Sequence, residues 1–204
     1  MSQPTTRRRF LRRSLESAAV TSAISSLGGV HAAVAEEEAA LNIGIIGCGV
    51  MMDHHVKRLS SFHHNVSITW LCDVDPAQIE RRAIHLDRLK LKTPQKTSRY
   101  EDVVSDKNVD AVVIAAPDAL HAELVHACLD ADKPVLCEKP LALTTDDVDQ
   151  MADAAQRNGV VLQEACMMRY HRQTLDLRRL VAERAIGDVR ILRSAFTFTL
   201  DNVE

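Results

Sequence analysis

The stretch Leu41-Asn42-Ile43-Gly44-Ile45-Ile46-Gly47-Cys48-Gly49-Val50-Met51-Met52 decides how this chain is read. It is an apolar, β-rich run that breaks at two glycines one residue apart and then resumes as helix. A buried parallel strand, a tight turn at Gly47 and a helix starting at about Val50 together open a dinucleotide-binding fold. In such a turn Gly49 has no side chain to hold a pyrophosphate away from the backbone. The loop residue Cys48 and the first helical residues Val50 and Met51 belong to the same cradle, where free N–H groups and the positive helix end face the phosphates. The third position of G-x-G-x-x-G is Met52, which predicts a wider helix–strand crossing filled by a flexible thioether.

Outward from that stretch, apolar strand-like runs alternate with helical patterns, the signature of a doubly wound α/β fold with a parallel sheet. Val66-Ser67-Ile68-Thr69-Trp70-Leu71-Cys72 reads as the second strand and ends at Asp73, 24 residues past Gly49. At that spacing the second strand presents a carboxylate to the adenosine ribose hydroxyls. Asp75 reads as the N-cap of a helix over 76–89. A linker near Thr93-Pro94 leads to a short helix over 100–105 and a central strand over 109–115, which stops at Pro117. His121 follows in a helix over 119–130, near a strand's carboxyl end, where it either approaches a ligand or is a satisfied helix residue.

Lys133-Pro134-Val135-Leu136-Cys137-Glu138-Lys139-Pro140 places Glu138 and Lys139 at the carboxyl end of a short strand, the side of an open α/β sheet where ligands bind. Lysine there can take part in proton transfer, with burial beside positive charge tuning it. An amphipathic helix over 145–158 closes at Gly159, and a sixth strand spans 160–164. The pattern then predicts a basic helix over 168–184 and a period-two strand from Val189 to Leu200, with Phe196, Phe198 and Leu200 on one face.

Composition narrows the classes. The 204 residues carry a net charge of -3 and are 46% hydrophobic and 3% aromatic. Five arginines against one glutamate fall in residues 1–35, so an excess of seven negative charges lies in the rest. An acidic body with few aromatics argues against nucleic acid, and no apolar run is long enough for a membrane span. The five cysteines lie far apart without a C-x-x-C pair and read as buried free thiols. The histidines read mainly as surface residues, and none shows the i,i+4 carboxylate-flanked spacing of a zinc site.

Residues 1–35 read as an address. Thr6-Arg7-Arg8-Arg9-Phe10-Leu11-Arg12 resembles the twin-arginine export signal, and Ala33-Val34-Ala35 offers a small-x-small cleavage site. The expectation is therefore a periplasmic or otherwise exported protein handled by the twin-arginine translocase. The expected division is 1–35 signal peptide, 36–165 nucleotide-binding domain, and 166–204 linking helix with the start of a further α+β domain.

Taken together, Gly44-Ile45-Ile46-Gly47-Cys48-Gly49, Asp73, Ala116-Pro117-x-x-x-His121, Glu138-Lys139-Pro140 and Arg169-Tyr170-His171 resemble the glucose-fructose oxidoreductase and inositol dehydrogenase (Gfo/Idh/MocA) family. The resemblance implies an NAD(P)-dependent oxidoreductase acting on a sugar or polyol CH–OH group. It assigns Lys139 to proton transfer at the substrate hydroxyl and Glu138 to the nicotinamide ribose. Arg169 and Tyr170 would lie beside the nicotinamide, and Pro117 and His121 would be further cofactor contacts. Asp73, followed by Val74 and not by arginine, points to NAD over NADP. The family's second domain, which carries an Asp-x-x-x-His pair, would begin near Val189, so the sequence reads as a truncated form. A homo-oligomer is expected only of a full-length parent. The alternative is an exported nucleotide-binding or interaction module without catalysis.

Overall fold

The computed structural model describes residues 40–63, 65–195 and 197. The basic segment 1–35, together with Phe196, Phe198 and Leu200, lies outside the described residues. The chain divides into two compact units, the first ending at Ala165 and the second beginning at Cys166.

The first unit is a six-stranded sheet in the order β3-β2-β1-β4-β5-β6, every neighbouring pair parallel. Its strands are β1 (Leu41–Ile46), β2 (Val66–Cys72), β3 (Gln95–Thr97), β4 (Ala111–Ile114), β5 (Val135–Cys137) and β6 (Leu162–Glu164). The four residues from Ile43 to Ile46 are all buried, as are Val112 to Ile114, because a parallel sheet is covered on both faces. Helices α1 (Val50–Ser60) and α2 (Pro76–Arg88) supply Met52, Val56, Ile79 and Leu86 to one core. Helices α3 (Tyr100–Ser105), α4 (His121–Asp130) and α5 (Thr145–Asn158) supply Val103, Leu124, Leu129 and Met151 to the other.

Local chemistry explains the helix limits. Asp75 caps α2 by accepting from the Ala77 N–H at 2.9 Å, with Pro76 at the first helical position. Thr144 caps α5 in the same way through the Asp147 N–H, and Gly159 ends it in the left-handed conformation at φ 64°. Met52 is fully buried beside Ile43, Ile45 and Val113, so the thioether fills the crossing that a third glycine would have narrowed.

Three expectations are corrected. The linker after Pro94 holds an edge strand, β3, too short and polar to show a period-two pattern. The basic helix is shorter than expected: Met167–Tyr170 is a 3-10 turn, and α6 (Arg172–Ala182) starts only after His171, whose ring accepts from the Gln173 N–H. Residues 189–195 form no strand. A strand needs a neighbour to satisfy its backbone groups, and among the described residues none pairs with this segment.

Candidate nucleotide-binding site

The strand order reverses direction between β1 and β4, and the loops leaving their carboxyl ends part there to leave a cleft of about 530 Å³. A crevice at this point is where open α/β sheets take their ligands. Its walls include Gly47, Gly49, Val50, Met51, Asp73 and Pro117, six of the residues expected at the site. Gln78, Ser98, Tyr100 and Leu120 also line it, and none of them was singled out from sequence.

The two glycines serve different ends. Gly47 has φ +86°, and a Cβ there would lie 2.6 Å from the backbone of Ala115 and Ala116, so the turn and the close approach of the β4 loop both exclude a side chain. Gly49 has an ordinary φ of -67°, and a Cβ there would meet nothing within 4 Å. The space in front of Gly49 is therefore open. Gly49 is also the N-cap of α1 and has no side chain to accept from the first-turn N–H groups. Gly49, Val50 and Met51 line the cleft, and an uncapped helix start there suits the diphosphate of a dinucleotide.

Asp73 does more than end β2. Its Oδ2 accepts from the Cys48 N–H at 2.6 Å and its Oδ1 from the Asp75 N–H at 2.9 Å, so the carboxylate ties the glycine loop to the loop after β2. Each oxygen keeps a lone pair for a ribose hydroxyl. Val74, 87% exposed, is the next side chain and brings no cation for a 2′-phosphate.

Cys48 is not in the cleft lining. Its side chain is fully buried, its N–H is given to Asp73, and its carbonyl accepts from Arg82 Nε at 3.1 Å. Desolvation, assisted by the Asp73 charge, pushes its thiol up to about 12, so it is inert packing at neutral pH. His121 is not in the cleft lining. It is fully buried, with Nδ1 2.8 Å from the Pro140 carbonyl oxygen and Nε2 3.0 Å from that of Ala116. The ring lies between the β4 loop and the turn after Lys139, and whichever nitrogen carries the proton donates to the carbonyl beside it.

Glu138, 8% exposed, accepts from His55 Nε2 at 2.8 Å and from the Lys139 N–H at 3.0 Å. Lys139 itself is exposed at the carboxyl end of β5. The burial expected to tune it is not present among the described residues. Arg169 and Tyr170 sit in the exposed 3-10 turn of the second unit. Among the described residues there is no cluster of three or more potential metal ligands, and no helix is long and apolar enough to cross a membrane.

The open face at Gly49, the uncapped helix end and the Asp73 carboxylate fit a dinucleotide, and relatedness agrees. Residues 41–166 match GFO_IDH_MocA, the oxidoreductase family with an NAD-binding Rossmann fold. The chain belongs to this family. Inositol 2-dehydrogenase of Salmonella typhimurium is 32% identical over 148 residues, covering 72% of this chain and 43% of that protein. Trans-1,2-dihydrobenzene-1,2-diol dehydrogenase of Mus musculus is 31% identical over 167 residues, covering 80% and 48%. Among solved structures, GenD2 from gentamicin A biosynthesis in complex with NAD superposes with a TM-score of 0.65 at 27% identity, covering 77% of this chain and 43% of that one. The Gfo/Idh/MocA chain described here thus spans less than half the length of these relatives.

Proposed function

We propose that this chain is the nucleotide-binding part of an NAD-dependent oxidoreductase that acts on a CH–OH group of a sugar or polyol. The observation that carries the reading is the cleft at the β1/β4 divide, open in front of Gly49 and closed behind Gly47. The inositol and diol dehydrogenases among its relatives support the substrate class.

Bound there, a nicotinamide cofactor supplies a hydride acceptor. Gly49 and the first turn of α1 hold the diphosphate, and Asp73 accepts from the adenosine ribose. Asp73 favours NAD, since a carboxylate repels a 2′-phosphate. Glu138, fixed by His55, holds the Lys139 backbone at the end of β5. The Lys139 amino group, at the exposed carboxyl end of β5, takes part in proton transfer with a substrate hydroxyl once bound cofactor and substrate desolvate it.

The Thr6–Arg12 pattern supports export through the twin-arginine translocase, which carries proteins already folded. Cofactor loading in the cytoplasm would then precede export, because ligand binding stabilises the folded state.

The test is a titration of the purified chain with NAD and NADP, followed by an assay of NADH formation on inositols, glucose and xylose. The expected result is NAD binding in preference to NADP. Turnover that falls about 10²–10⁴-fold in Lys139→Ala at unchanged NAD affinity supports the catalytic assignment. Nucleotide binding with no turnover on any sugar or polyol supports the non-catalytic module, and no binding of either nucleotide contradicts both.

A further inference from the structure

Arg82 is one of few buried charged residues in the described chain, 8% exposed in the middle of α2. Its guanidinium makes two contacts, neither of them on its own helix. Nε donates to the Cys48 carbonyl at 3.1 Å, and Nη1 pairs with the Asp53 carboxylate in the first turn of α1. Asp53 is also held by Lys57 one turn on, at 2.6 Å.

Each contact bears on the anion site. The peptide between Cys48 and Gly49 is planar and trans, so its C=O and N–H point in opposite directions. With the carbonyl fixed on the buried guanidinium, the Gly49 N–H is turned away from α2. No described residue outside α1 accepts from that N–H. Gly49 lines the cleft, and a Cβ added to it would meet nothing within 4 Å. The second contact concerns charge. A carboxylate in the first turn of a helix suits the dipole but opposes a phosphate bound at the same end. Arg82 and Lys57 hold the Asp53 pKa below its ordinary value, the Lys57 hydrogen bond contributing most, and the pair of cations offsets its charge.

We propose that Arg82 is a positioning residue for diphosphate binding: it aims the Gly49 N–H into the cleft and neutralises Asp53 at the helix end where the diphosphate sits. This rests on the reading of the cleft as a nucleotide site.

The test compares ADP, which carries a diphosphate, with adenosine, which does not, on the full chain by NMR titration. Wild type, Arg82→Met and Arg82→Lys are each followed through the Gly49 amide resonance and a thermal midpoint. The expected result is that Arg82→Met weakens ADP about tenfold or more and leaves adenosine within about twofold. Arg82→Lys, which keeps the charge but cannot reach both acceptors as a fork, falls between wild type and Arg82→Met. The Gly49 amide resonance shifts in both variants before ligand is added.

Equal losses for ADP and adenosine mean that Arg82 only supports the fold, and overturn the proposal. So do unchanged ADP affinity in Arg82→Met and loss of folding in both variants. If wild type itself binds no ADP, the nucleotide reading of the cleft fails and takes the proposal with it. Wild-type binding that Arg82→Met retains in full defeats the Arg82 role alone.

Discussion

His55 Nε2 donates to Glu138 Oε1 at 2.8 Å, and this bond pins the helix after the glycine loop to the strand end that carries Lys139. The two residues are 83 positions apart, in α1 and just beyond β5, on opposite sides of the cleft's dividing line. Removing the ring leaves a buried carboxylate oxygen without its donor. His55→Ala should therefore lower unfolding free energy by about 1–3 kcal/mol. His55→Gln, which keeps a side-chain donor, should recover part of the loss. Denaturant unfolding of the three proteins checks this, and a wild-type midpoint in His55→Ala would refute it.

Asp73 has a structural and a selective role that can be separated. Asp73→Ala removes the acceptor of the Cys48 and Asp75 N–H groups, so absolute affinity for any nucleotide should fall. The ratio of NAD to NADP affinity is the cleaner reading, and it should drop toward one when the carboxylate is gone. Calorimetric titration of both cofactors measures it. Wild type that prefers NADP, with the ratio unchanged in the variant, would remove Asp73 as the discriminating residue.

The acid side of the stability profile has a built-in reporter. Trp70, the one tryptophan in the sequence, donates its indole N–H to Asp106 Oδ2 at 2.8 Å. Desolvation is the largest influence on Asp106 and raises its pKa. The bonds from Trp70 and Asn108, with the Lys133 charge, outweigh it and leave the carboxyl below its ordinary 3.8. A depressed pKa contributes stability above the ordinary value and loses it as pH falls toward the folded value. Stability should thus decline below about pH 4 with a matching change in Trp70 emission. Asp106→Asn should flatten that limb, and an unchanged acid slope would show that this carboxylate does not contribute.

Export depends on the first segment in the proposed reading. Arg7→Lys with Arg8→Lys should leave the precursor in the cytoplasm, as fractionation would show. Gly49→Val should lower the exported fraction together with bound NAD. Efficient export of the double-lysine variant would contradict a twin-arginine route.

Much of the frame was legible because its signals are local. The β2 limits, the short helix over 100–105, the Asp75 cap and the Gly159 stop each follow from neighbours in sequence. Gly47, Gly49 and Asp73 were readable because a strand end and a turn fix their geometry. What escaped was tertiary. Arg82 reads as one more charge on an amphipathic helix, and only folding brings it to Cys48, 34 positions away. His55 reads as one more surface histidine until folding brings it to Glu138. Cys48 and His121 sit within motif spacing, yet folding buries both side chains in the interior. The strand expected after Val189 rested on alternation alone, and alternation says nothing of a pairing partner.

The two glycines of one loop have opposite duties, and NAD titration paired with a thermal midpoint on Gly47→Ala and Gly49→Val tests that directly. Gly47→Ala forces a side chain into a left-handed position 2.6 Å from the β4 loop backbone, so it should lower the midpoint markedly. At Gly49 an added Cβ meets no protein atom within 4 Å, so Gly49→Val should lower the midpoint far less than Gly47→Ala while losing NAD binding by tenfold or more. Gly49→Val that binds NAD as wild type does would contradict the claim that this cleft is the nucleotide site.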